Sequence, residues 1–187
     1  MKIKRGEFGY LKYKKRVSLF GVLLMLILGI SVFVAGLLLN DMSNRNIFSV
    51  IAVLFVLPGA KYLVALIVSF PYKPVSRERY EKVSSQVSEG VVLYTDLVIT
   101  SSEKVMHLDF VVVGYGQVIG LLGNGKQELT YVRPYLTKGV ANWGNDYKVK
   151  IFDSEKKFLA ELSQMKEKEV DQEEEANVKS YITSLIV

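Results

Sequence analysis

Two long apolar runs occupy the first third of the chain, VSLFGVLLMLILGISVFVAGLLL at 17–39 and IFSVIAVLFVLPGAKYLVALIVSF at about 47–70. Each is longer than the roughly 20 helical residues that cross ~30 Å of hydrocarbon. The short polar turn between them carries only Asp41 and Arg45 as charges. Backbone in lipid must satisfy its own hydrogen bonds, so the pattern predicts a transmembrane helical hairpin over 17–70. Gly21, Gly29 and Gly36 are predicted to line the contact of its first helix with the second, because small residues let helices approach closely. Pro58 and Gly59 interrupt the second run near its middle, where proline removes a hydrogen bond and kinks a helix. Lys61 follows them.

Beyond Phe70 the PYKP step stops the helix. Residues 76–88 read as an amphipathic helix with Tyr80, Val83 and Val87 on one face, ended by Gly90. The period then changes to two. VVLYTDLVIT (91–100) and VMHLDFVVV (105–113) are predicted strands joined by an SSEK turn, and QVIGLL (117–122) is a third, after a GYG turn. Asn124-Gly125 is a hairpin signal, with QELTYV (127–132) as a returning strand. Pro134 suits a helix start, so PYLTKGVANW is predicted as a short helix. YKVKIF (147–152) alternates as a strand wet on one face. Asp153 or Ser154 can cap a helix that buries Phe158, Leu159, Leu162 and Met165. A charged connector, KEKEVDQEEEA, leads to a last stripe of Val178, Tyr181, Ile182, Leu185 and Ile186 at helical spacing. That stripe covers either its own domain or a partner protein. The expected fold is thus a two-helix membrane hairpin followed by an α+β domain at 71–187, with a three- to four-stranded meander.

Charge orients this picture. Residues 1–16 carry seven Lys or Arg against one Glu, part of a net charge of +5. Lys73, Arg77, Arg79 and Lys82 follow the second span. Positive flanks stay inside, so both termini are expected in the cytoplasm of a two-pass, bacterial-type cell-membrane protein. The basic N-terminus is expected to touch anionic lipid, and nucleic acid is not an expected partner. The first apolar run exceeds the 7–15 residues of a signal-peptide core, so no cleavable signal is expected.

The chain has no Cys and a single His, His107, which rules out thiolate chemistry and His-rich zinc sites. His107 and Asp109 sit two apart on a predicted strand and share a face, the raw material of acid–base catalysis and equally of a structural polar pair. The stretch GYGQVIG lacks the Ser of a nucleophile elbow. Gly114, Gly116, Gly120, Gly123 and Gly125 have neither Walker spacing nor a following helix, and read as turns. No cofactor is expected. Arg133, Lys138 and the only Trp, Trp143, are the residue types that anchor interfaces, though Trp143 could equally sit in the core. Lys61 lies near the bilayer centre, where an insertion cost of about 2.5–3.5 kcal/mol marks functional charges unless the side chain snorkels.

The segment HLDFVVVGYGQVIGLL, with its Asp opening a Val run before a turn and a second apolar strand, resembles the restriction-endonuclease-like core, in particular the nuclease-related domain of membrane-tethered bacterial proteins. In that family an Asp and a Glu-x-Lys hold a divalent metal and activate water. Asp109 matches the first carboxylate, while Leu122, Gly123 and Asn124 stand where Glu-x-Lys belongs. The resemblance therefore implies a dead nuclease without a metal. The expected function is a membrane-anchored, non-catalytic interaction or regulatory protein, with a protein partner or as a homo-oligomer. Two alternatives stand beside it: a tethered nuclease or hydrolase working through Asp109 and His107, and an oligomeric transport component with Lys61 inside.

Overall fold

The computed structural model describes residues 3–123 and 129–187. They divide into two compact units: the residues up to Leu11 together with Tyr72–Val187, and Lys12–Pro71.

The second of these is the hairpin. Helix α1 (Tyr10–Leu39) starts about two turns before the apolar run, because Lys12, Lys14, Lys15 and Arg16 are themselves good helix formers. Asp41 and Met42 take positive φ in the turn, and the Gly36 carbonyl accepts from both Asn40 Nδ2 (2.8 Å) and Asn46 Nδ2 (3.2 Å). Asn46 then caps α2 (Ile47–Leu54) through the Ser49 amide at 3.0 Å. The helix breaks at Phe55 and resumes as α3 (Val56–Ser69). The break lies where proline chemistry puts it, since the Pro58 ring crowds the carbonyl four residues earlier, that of Leu54. All three glycines of α1 face the other arm, as expected. A Cβ on Gly21 would strike Tyr62, one on Gly29 would touch Phe55, and one on Gly36 would strike Phe48.

Both arms are long and apolar enough to cross a membrane. Neither is the core helix of a soluble domain: 6% of the most apolar stretch of one and 0% of the other is buried.

The other unit is built on a four-stranded mixed sheet ordered β1 (Val92–Thr100), β2 (Val105–Gly114), β3 (Gln117–Leu122), β4 (Lys148–Phe152). The first three form the expected antiparallel meander, with Ser101–Lys104 and Tyr115–Gly116 as turns. β4 is parallel to β3, reached through helix α5 (Leu129–Val140). Here the sequence expectation is corrected. Residues 129–132 are not a returning strand but the first turn of α5, which begins five residues before Pro134. Val132, Leu136 and Val140 recur at i, i+4, i+8 and are all buried, and this burial overrides the β-propensity of the TYV run. The Asn124-Gly125 hairpin, and Gln127 and Glu128, lie outside the described residues.

One face of the sheet carries Phe110, Val112, Ile119 and Leu121. They pack with Val75, with Val83 of α4 (Arg77–Ser84), and with Phe158 and Leu162 of α6 (Glu155–Leu162). Alternate residues Val111 and Val113 point the other way and are equally buried. The last helix, α7 (Gln172–Ser184), packs on β2 and buries Val178 and Ile182, so the terminal stripe covers its own domain. It starts inside the segment read as a connector, because the Asp171 side chain caps Glu173 and Glu174 N–H and three Glu follow at the positive end of the helix. The free edge of β1 is covered from both ends of the chain. The Gly6 carbonyl takes the Thr95 amide (2.8 Å), Ile186 bridges Ile99, and the Val187 amide reaches the Val98 carbonyl (3.0 Å).

Candidate functional site

The polar residues of β1 and β2 converge at an irregularity in the ladder. Register against β3 shifts between Leu108 and Phe110, so Asp109 is the extra residue of a β-bulge. Opposite it on β1, Asp96 takes φ +55 and also drops out of the pairing. Both carboxylates are thereby re-aimed. Asp96 Oδ1 accepts the Val75 amide at 2.7 Å, at the entrance to α4. Asp109 Oδ2 accepts from Arg79 Nη1 at 2.8 Å, and its Oδ1 lies 3.7 Å from His107 Nδ1. The expected His107–Asp109 pair therefore forms, with both residues below 5% exposure.

Its surroundings were not foreseen. Arg79 turns its Nε and Nη2 to Glu155 Oε2 (3.0 and 2.9 Å), and Lys82 Nζ holds Glu155 Oε1 at 3.1 Å. The Arg79 guanidinium also lies over the Phe110 ring. One arginine thus joins β2 to the start of α6 from α4. Burial alone would push the Glu155 carboxyl up, but the hydrogen bonds and charges of Lys82 and Arg79 outweigh it and hold the group below its ordinary range. On the other side, Tyr72 stacks on the imidazole of His107 (4.7 Å, 21°) and its hydroxyl reaches the Val105 carbonyl. Gly123 closes the remaining approach. Its amide binds the His107 carbonyl, and a Cβ there would collide with His107 Nδ1 and come within 2.9 Å of Asp109 Oδ1.

Of the second carboxylates the sequence offered beside Asp109, Asp96 is spent on Val75, Glu103 is in the exposed β1–β2 turn, and Glu128 is outside the described residues. Glu155 comes nearest in function, and it arrives with a cation in between. Among the described residues no group of three or more acidic, His or Cys side chains is placed to hold a metal ion. The arrangement is chemically an ion network at the seam of β2, α4 and α6, in which Arg79 and Lys82 answer Asp109 and Glu155. The signals that could have found it were weak: Arg79 is one of several cations on α4, and Glu155 reads as an ordinary first-turn acid.

The other singled-out residues are dispersed. Arg133 donates to the Ile151 carbonyl at 3.0 Å, which fastens α5 to the outer strand. Trp143 follows α5, is half exposed, and stacks on Tyr181 (6.2 Å), so it lies at the surface rather than in the core. Lys138 is in the last turn of α5. Tyr115 and Gly116 both have positive φ, so the glycine-rich stretch is a hairpin turn there. In the hairpin unit, Lys61 projects from α3 and makes no hydrogen bond or ion pair with the described residues. An open apolar cavity of about 350 Å³ lies at the helix break, walled by Met25, Gly29, Ala52, Phe55, Gly59 and Leu63. Comparison with protein-family models, with curated proteins and with solved structures finds no match to this chain.

Proposed function

We propose that this protein is a membrane-anchored, non-catalytic interaction or regulatory protein that holds its α+β domain at the cytoplasmic face of the membrane. The observation that carries the reading is the occupation of Asp109. The best catalytic candidate in the chain is buried, bonded to Arg79 and crowded by the Gly123 backbone, while Tyr72 stacks on the neighbouring His107. A carboxylate that must bind a metal or take a proton from substrate needs an open approach, whereas one that fastens two helices to a sheet needs the closure seen here. The placement of Leu122 and Gly123 where a nuclease would carry Glu-x-Lys fits a degenerate nuclease fold in the same way.

Two further facts support the anchor. The hairpin exposes its apolar residues throughout, with Phe20, Leu38 and Leu57 each about 70% accessible. The residues up to Leu11 belong to the same unit as Tyr72–Val187, which supports an even number of crossings between them. Positive flanks on that side make it the cytoplasmic one.

The test uses the full chain in detergent with Mg²⁺ or Mn²⁺ and single- and double-stranded nucleic acid. The expected result is no cleavage that differs between the unaltered protein and Asp109→Asn. Metal-dependent cleavage abolished by Asp109→Asn or His107→Ala would replace this reading with the tethered nuclease.

A further inference from the structure

We infer that the outward face of α3 around Lys61 is the docking surface for a transmembrane helix of a different protein, one that sets an Asp or Glu beside Lys61. The inference rests on the membrane-anchored reading above and names the kind of partner it requires.

The second span covers Ile47–Ser69. At 1.5 Å per residue Lys61 lies about 4–5 Å from its midpoint and about 10 Å from the nearer edge of a ~30 Å hydrocarbon layer. That is further than the four-carbon stem of a lysine reaches, so snorkelling does not bring the ammonium to water. Nor does Lys61 turn inward. Gly59, Ala60 and Leu63 border the cavity toward α1, and Tyr62 meets Gly21, so α3 shows its other side to α1. Lys61 shares the outer side with Leu57 and Val64 at helical spacing, both more than half exposed. An apolar stripe with one ammonium at its centre, facing hydrocarbon, carries an insertion cost that a covering counter-charge relieves.

This chain cannot supply that charge. The only acidic residue between 17 and 70 is Asp41, in the polar turn. A second copy packed on the same face would oppose Lys61 to Lys61, a like-charge contact that a low dielectric makes costly. A helix from another protein, apolar but for a carboxylate at matching depth, satisfies both requirements.

The experiment places a photo-crosslinking amino acid at Val64 in the full chain, in its native membrane, with Lys61 intact or changed to Arg or Leu. The expected product is an adduct to a membrane span of another protein, whose crosslinked peptide contains Asp or Glu. Its yield should fall about tenfold in Lys61→Leu, persist in Lys61→Arg, and return when Lys61→Asp is combined with Lys at the partner's acidic position. Unchanged Trp143 emission in each variant verifies that the soluble unit is intact. Adducts with lipid alone, with a second copy, or with a peptide lacking a carboxylate would each overturn the inference, as would a yield indifferent to Lys61→Leu. Alkaline carbonate extraction of the same membranes separates the two levels. A chain retained in the membrane without the expected adduct defeats the inference alone, whereas a chain stripped from it defeats the anchor as well.

Discussion

Asp109, Arg79 and Glu155 show how a residue that looks catalytic becomes a fastener. Breaking a buried pair from one side leaves an uncompensated charge, which costs several kcal/mol when fully desolvated. Arg79 keeps about a third of its side chain exposed and retains Glu155. Asp109→Asn should therefore destabilise the soluble unit by about 1–3 kcal/mol, read by unfolding followed through Trp143. A variant as stable as the parent would mean the network is ornamental. Gly123→Ala should cost a similar amount, about 1–3 kcal/mol, because its Cβ collides with His107 and the backbone there is hydrogen-bonded in place. Glu155 predicts a pH effect. Its folded pKa is held below the ordinary value, so its contribution is complete above that value and is lost as pH falls through the folded one. The stability of the parent should decline below about pH 4.5 more steeply than that of Glu155→Gln, with the two curves converging in acid.

At the scale of elements, the hairpin and the sheet are governed by different rules. Pro58 breaks the second arm at Phe55, and the cavity opens beside that break. Pro58→Ala restores a donor and removes the clash. Spin labels at positions 50 and 64, placed through Cys in a chain that has none, should then lie about 21 Å apart along a continuous helix; an unchanged distance would assign the break to Gly59 or to packing. In the sheet, the alternation of β1 to β4 was readable because one side chain in two is committed to each face. The strand expectation fails over 129–132, where local preference and helical burial conflict, and Val132, Leu136 and Val140 carry the decisive spacing. Similarly, α7 begins before its apolar stripe because Asp171 satisfies the amides that would otherwise be left open.

At the scale of the whole molecule, an even number of crossings should place Lys4 and Ser163 on one side and Ser43 on the other. In intact cells an impermeant maleimide is expected to label Ser43→Cys, and to label Lys4→Cys and Ser163→Cys only after permeabilisation. Labelling of Lys4→Cys and Ser43→Cys together, without Ser163→Cys, would refute the two-pass hairpin.

The sequence by itself determined the hairpin, the glycine contacts, the meander and the amphipathic helices, because each is written in local period, length and turn chemistry. It also pointed to His107 and Asp109 as neighbours two apart on one strand, though the bulge that aims Asp109 was not written in that spacing. Only the tertiary structure decided what surrounds that pair. Arg79 and Glu155 lie 30 and 46 positions from Asp109 in sequence, and no local pattern marks which of many surface charges will be drawn over a bulge. The same holds for the ends of the chain, where Gly6 and Val187 close the edge of β1. Their hydrogen bonds are made by backbone, which carries no residue signature to read in advance.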